Sequence, residues 1–314
     1  MPDFYQVLDA SHWAPAGDEP LGSKRKRWLR EPGDGGRRWL FKHRQRPGTG
    51  DDWAERIVAA IADDLGIPHA KTELAALDEK PGILSLDLTD DRRRGELVLG
   101  NDLLFLRDPT YPRTERRRAA SKYSLDLVIA VLSQGFIRPP ETAGTPPGVT
   151  DALDVFIGYL MLDALVANQD RHHENWGVLQ RKGAEGRVVA EISSTFDHAS
   201  SLARGITDDE RQDRLGTVDR NRTVDAYCRR ASSLFVTEVD MTRRLTTFEA
   251  FSYAASRREP GRDAWIERLR ATPVSRMRSR VDAVPVDRMS GVAKEFCLRM
   301  LDFNRRRLLE AESE

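Results

Sequence analysis

The stretch that decides the reading runs from Asp170 to His198. It begins D-R-H-H-E-N-W-G-V-L-Q (Asp170–Gln180), passes a glycine-containing turn and continues V-V-A-E-I-S-S-T-F-D-H (Val188–His198). Asp170 is followed at short range by Asn175. A second acidic residue, Asp197, arrives after two apolar segments of strand length that read as a two-stranded ribbon. This layout suits phosphoryl transfer: one carboxylate orients an attacking hydroxyl, while an amide and a second carboxylate hold metal against the phosphates.

Upstream, Asp151 begins a helix whose Leu153, Phe156, Ile157, Leu160, Ala164 and Leu165 share a face and deliver the chain to Asn168-Gln169-Asp170. Ser124 is expected to cap a helix carrying Leu125, Val128, Val131 and Leu132. The basic run Arg113 to Arg118 reads as a solvated helix face. Everything from Glu96 onward reads as predominantly helical, apart from the ribbon.

The first third reads as mainly strand. A short strand is expected over Phe4 to Leu8, then a polar loop from Gly17 to Gly22. Arg37-Arg38-Trp39-Leu40-Phe41-Lys42 reads as the returning strand of a hairpin turned at Gly33 to Gly36. Lys42 would close that strand, either as a solvated edge lysine or as a phosphate ligand. Trp53, Ile57, Ala60, Ile61 and Leu65 recur at helical spacing, and Gly66 stops the helix. Glu55 has two accounts there. It is the N3 residue of a capping box begun by Asp52, or it faces the sheet and pairs with Lys42. Strands are expected over Lys71 to Leu77 and Ile83 to Leu88, turned at Pro81-Gly82. A boundary is expected after Leu88, dividing a lobe 1–88 from a lobe 89–314.

Composition is that of an ordinary globular protein, with 39% hydrophobic and 32% charged residues in 314. Lys+Arg and Asp+Glu are both 50, which argues against a general nucleic-acid or membrane-surface binder. No apolar run is long enough for a membrane span and no signal peptide is visible, so a cytoplasmic protein is expected. Cys228 and Cys297 form no CxxC pair and read as buried thiols.

Taken together, Leu40-Phe41-Lys42, the Glu55 helix with Leu65-Gly66-Ile67-Pro68 after it, Asp170 to Asn175, and Thr195 to His198 resemble the HipA-type serine/threonine protein kinases, whose catalytic layout is phosphatidylinositol-kinase-like. Met289 to Leu309 is similar to that family's terminal helix. The resemblance covers most of the chain; the first residues and Ile206 to Val274 match loosely. It implies an α+β, two-lobed kinase-like fold, with a small mainly β lobe carrying one helix and a larger mainly α lobe. It implies ATP and Mg²⁺ as cofactors and a protein hydroxyl as acceptor. Asp170 would be the catalytic carboxylate, with Arg171 and His172 bracing its loop or offering charge near the transferred group. Asn175 and Asp197 would hold Mg²⁺. Lys42, directed by Glu55, would hold the α- and β-phosphates. Leu86, Asp87 and Leu88 would meet the adenine through backbone groups. Gly22, Ser23 and Lys26 resemble the family's phosphate-side loop, with Ser23 a candidate for autophosphorylation. The eukaryotic D-F-G is absent, since His198 follows Asp197.

Other readings stand beside this one. No complete Walker A sequence occurs, which disfavours a P-loop NTPase. His172, His173, Glu174 and His198 could be taken for a metal-hydrolase cluster, but adjacent histidines do not share a helix face and no H-E-x-x-H is present. A lipid or small-molecule kinase and a nucleotide-binding regulatory pseudokinase remain as alternatives. The substrate is expected to be set by Ile206 to Arg230. Some HipA relatives belong to toxin–antitoxin pairs. This chain has no recognisable DNA-binding segment, so an antitoxin-like regulator would be a separate protein and direct nucleic-acid contact is not expected.

Overall fold

The computed structural model describes residues 4–18, 26–89, 95–113, 121–140, 144–182 and 186–310. Gly22, Ser23, the 183–185 turn and most of the Arg113–Arg118 run lie outside these residues.

The smaller lobe is built on a six-stranded sheet. Its strands are β1 (Leu8–Asp9), β2 (Ala14–Asp18), β3 (Lys26–Arg30), β4 (Arg38–His43), β5 (Thr72–Leu77) and β6 (Lys80–Leu86), in the order β1-β5-β6-β4-β3-β2. Side chains alternate between faces. Trp39 and Phe41 therefore pack with Leu29, Ala75 and Leu84 in one apolar layer, while Leu40 and Lys42 point the other way. Helix α1 (Asp51–Leu65) packs on β5 and β6. It ends at Gly66, whose left-handed φ of 69° lets its N–H close on the Asp63 carbonyl.

Several expectations are corrected here. The first strand is shorter than Phe4–Leu8, and Gly17 sits inside a bulged β2 rather than a loop. The β5–β6 turn is Asp78-Glu79, not Pro81-Gly82. Both residues have positive φ, as a tight two-residue hairpin requires. Pro81 lies within β6, where Arg44 N–H donates to its carbonyl and the ring nitrogen can return nothing. The capping box at Asp52 and Glu55 does not form. The helix starts at Asp51 after Gly50, without a side-chain cap, because the Asp52 carboxylate is held by Arg44 and Arg288.

The larger lobe opens with β7 (Glu96–Leu99), where helix was expected. Gly95 to Leu99 is drawn into a second sheet, ordered β7-β9-β10-β8 from β9 (Gly177–Lys182), β10 (Val188–Ile192) and β8 (Ile137–Arg138). Helices α2 (Gly100–Arg107), α3 (Leu125–Leu132), α4 (Ala152–Val166), α5 (Asp208–Gly216), α6 (Val224–Arg229), α7 (Thr247–Ala255), α8 (Glu259–Ala271), α9 (Val274–Asp282) and α10 (Gly291–Glu310) make up the rest. The Ile206–Arg230 region, expected from the sequence to set the substrate, contains α5 and α6.

Helix α4 is the axis of this lobe. All of its residues are buried, not one face only, because α7, α8 and α10 pack around it. Asp151 and Asp154 form a reciprocal capping box at its start. At Gly158 the missing side chain lets the Trp265 indole lie against the helix, with Trp265 Nε1 donating to the Asp154 carbonyl at 2.7 Å. Asn304 of α10 donates to the Leu165 carbonyl at the other end (3.0 Å), satisfying a group the helix leaves open. Cys228 and Cys297 are both buried and free, and burial pushes each thiol up to about 12. Among the described residues no helix is long and apolar enough to cross a membrane.

Candidate active site

A cleft of about 590 Å³ opens between the two lobes, within the roughly 300–1,000 Å³ usual for small-molecule sites. Its apolar walls include Trp28, Leu40, Ala70, Leu86, Leu88, Leu97, Leu99 and Phe196. Trp28 and Leu40 are cross-strand neighbours, and Leu40 pairs in turn with Ser85. One row of side chains across β3, β4 and β6 therefore roofs the cleft. The Arg38 guanidinium lies 3.9 Å from the Trp28 ring centre and pairs with Asp87 (3.0 Å).

Lys42 reaches the same cleft from the end of β4. Its Nζ donates to Glu55 Oε1 at 3.1 Å and to Asp197 Oδ1 at 3.0 Å. Burial opposes its charge, but the Asp197 and Glu55 carboxylates outweigh that and hold its pKa above the ordinary lysine value. Glu55 is fully buried behind Lys42 and does not line the cleft. Asp197 stands in the left-handed region (φ 58°), a strained setting for a non-glycine residue.

Asp170, His172 and Asn175 come up from below, on the loop that follows α4. Ala167 turns the chain out of the helix with φ of 52°. The Asn168 side chain then bonds Asp163 (2.8 Å) and accepts from the Asp170 N–H (3.2 Å). Arg171 lies behind this loop and does not line the cleft. It forks onto both oxygens of Asp163 (2.8 and 2.7 Å) and donates to the Asn175 carbonyl (3.0 Å) and Thr195 Oγ1 (2.7 Å). Burial works against the Arg171 charge and the Asp163 carboxylate more than offsets it, raising the pKa. Arg171 is therefore a brace. Asn175 Nδ2 donates to the Asp170 carbonyl at 2.7 Å, so Oδ1 is the side-chain atom that could meet a cation. The Glu174 N–H donates to His172 Nδ1 (3.1 Å).

Lys26, Leu86, Asp87 and Leu88 line the cleft. The Leu86 and Asp87 amides are engaged by the Lys71 and Arg38 carbonyls (2.8 and 3.0 Å). The imagined histidine cluster does not assemble. His173 turns to the Tyr111 hydroxyl (2.8 Å) and His198 to Thr195 (2.9 Å). Burial, then the nearby Arg171 charge, pushes His198 well below the ordinary imidazole value. Among the described residues no group of three His, Cys, Asp or Glu side chains is placed to hold a metal. Asn175 with Asp197 is instead a sparse pair of oxygen donors, of the kind Mg²⁺ accepts when phosphates and waters complete its shell.

Asp163 and Ser200 carry no signal in the sequence, and Thr195, the first residue of the Thr195–His198 motif, was given no role there. Thr195 also stitches the lobes together: its N–H donates to Pro68 O (2.9 Å) and its carbonyl accepts from Ala70 N–H (2.8 Å). A larger groove of about 780 Å³ among α5, α6, α9 and α10 contains none of these residues.

The fold and cleft define a class, the two-lobed HipA-type kinase-like fold. Among solved structures, the Helicobacter pylori proinflammatory kinase CtkA is similar with a TM-score of 0.72 and 20% identity, over 97% of this chain and 96% of that one. HipA of Shewanella oneidensis, solved in a toxin–antitoxin complex with HipB and operator DNA, is similar with a TM-score of 0.57 and 12% identity. That match covers 92% of this chain and 64% of HipA. At these identities the likeness is one of fold. No protein-family model and no curated protein matches the sequence.

Proposed function

We propose that the protein is an ATP-dependent kinase that transfers the γ-phosphoryl group to a serine or threonine hydroxyl of a protein. The observation that carries this is the convergence of Lys42, Asp170 with Asn175, and Asp197, from three separated points of the chain, on one apolar-walled cleft. Adenine would lie between Trp28, Leu40 and Leu97. With the Leu86 and Asp87 amides engaged, Leu88 N–H is the main-chain donor we assign to the base. Lys42, fixed by Glu55, would hold the α- and β-phosphates. Asn175 and Asp197 would hold Mg²⁺, which when bound neutralises charge on the phosphates. Asp170 would orient the acceptor hydroxyl and take its proton. The chemistry asks little more of the protein than position and charge. We place the lobe boundary after Leu88 and the site of action in the cytoplasm, where ATP is available. The HipA–HipB complex supports a separate antitoxin-like regulator as a secondary expectation, which co-purification would test.

Radiolabelled ATP with wild type and Asp170→Ala tests the reading. The variant is expected to lose transfer by about 10²–10⁴-fold while folding normally. Equal transfer by both proteins would remove Asp170 from the mechanism. Nucleotide binding with no transfer to any acceptor would favour a regulatory module, and label entering lipid or a metabolite would change the acceptor class.

A further inference from the structure

We infer that Ser200 and Arg204 are positioning residues, which orient Asp170 and tie it to the start of α1; the inference rests on the reading of Asp170 given above. Ser200 Oγ donates to Asp170 Oδ2 at 3.4 Å, the longest link of the chain. Arg204 Nη2 donates to Ser200 Oγ at 3.3 Å, and Arg204 Nη1 pairs with the buried Asp51 carboxylate. Main-chain bonds run alongside. Gln169 N–H donates to Ser200 O (3.2 Å), Leu202 N–H to Val166 O (2.9 Å) and Gly50 N–H to Arg204 O (2.9 Å). A five-residue segment is thus bonded at one end to the loop carrying Asp170. At the other it is bonded to the residue that precedes α1.

Asp51 stands one helical turn before Glu55, the partner of Lys42. The segment therefore connects the group that would face the acceptor with the helix that aims the phosphate-binding lysine. It is also held under strain. Leu202 and Ala203 both have φ of 52°, and their carbonyls are held by Cys297 Sγ (3.5 Å) and Arg211 Nη2 (3.1 Å). Strain of this kind persists only where the surroundings over-determine the backbone. A segment that merely crossed the surface would not need it.

The test uses full-length wild type, Ser200→Ala, Ser200→Thr and Arg204→Ala. It reads amide hydrogen exchange over Gln169–Trp176, together with kcat and KM for ADP formation from ATP with casein as the probe acceptor. In Ser200→Ala and Arg204→Ala, exchange at 169–176 is expected to quicken about tenfold, with β9 and β10 beyond Trp176 unchanged. The value of kcat is expected to fall about tenfold while KM for ATP stays within about twofold, the signature of lost orientation without lost binding. Ser200→Thr, which keeps the hydroxyl, is expected to restore both. Unchanged exchange at 169–176 in both truncations overturns the inference. So does faster exchange everywhere in Arg204→Ala with Ser200→Ala like wild type. If wild type forms no ADP, the kinase reading fails, and the exchange comparison alone decides the link.

Discussion

Helices α1 and α4 are both fifteen residues long, and both bury carboxylates, but to different ends. In α1, Asp51, Asp52 and Glu55 are all buried, and each meets a cation from another element: Arg204, then Arg44 with Arg288, then Lys42. The last of these pairs also touches Asp197, which opens onto the cleft. In α4, Asp154 closes the capping box and pairs with Arg258, and Asp163 holds Arg171. Neither Asp154 nor Asp163 lines the cleft. One buried charge in α1, Glu55, therefore aims a cleft-lining cation, Lys42, while Asp51 and Asp52 pair with cations outside the cleft and the buried charge in α4 braces the loop beneath it. Removing one partner of a buried pair leaves an uncompensated charge in either helix. What distinguishes the two is whether chemistry or folding fails first.

The sharpest way to break this comparison is Asp163→Ala. It strands Arg171, which is 1% exposed, and is expected to cost about 3–5 kcal/mol, read from the denaturant midpoint. A variant as stable as wild type would show that Arg171 finds other support and that α4 is not the scaffold described. Glu55→Gln is the counterpart. It keeps a hydrogen-bond acceptor beside Lys42 and leaves the Asp197 pairing in place. The expected loss is about 1 kcal/mol of stability, with a roughly tenfold fall in kcat/KM for ATP as Lys42 loses its direction. A stability loss equal to that of Asp163→Ala, with activity intact, would erase the distinction. The pH dependence has a definite sign. The folded Lys42 pKa is raised, so the pair's stabilisation is complete below the ordinary lysine value of about 10.4. It is lost only as pH rises through the higher folded value, so it should contribute no slope across the neutral range in wild type.

The parts of the fold and candidate site that were legible in the sequence are those with a local signature. Lys42 could be placed because an apolar strand ends on it, and Glu55 because it falls on the sheet side of an amphipathic helix. Asp170 and Asn175 follow the apolar Asp151–Val166 run, and Asp197 closes a two-stranded ribbon. The misreadings have physical causes. Pro81-Gly82 carries the usual turn chemistry, but the register of β5 on β6 demanded positive φ three residues earlier, at Asp78 and Glu79. Glu96 to Leu99 has no strand periodicity of its own and is a strand because β9 offers it an edge. Asp163, Ser200 and Arg204 were invisible for a different reason. Each acts on a partner brought near only by the fold, and nothing in its neighbours marks it out.

The most direct test of the central claim is a structure with a non-hydrolysable ATP analogue and Mg²⁺. The account predicts the base between Trp28 and Leu97, the α- and β-phosphates at Lys42, the metal on Asn175 and Asp197, and the γ-phosphate facing Asp170. Nucleotide bound in the groove among α5, α6, α9 and α10, or bound in the cleft with its phosphates turned away from Lys42 and Asp197, would contradict it.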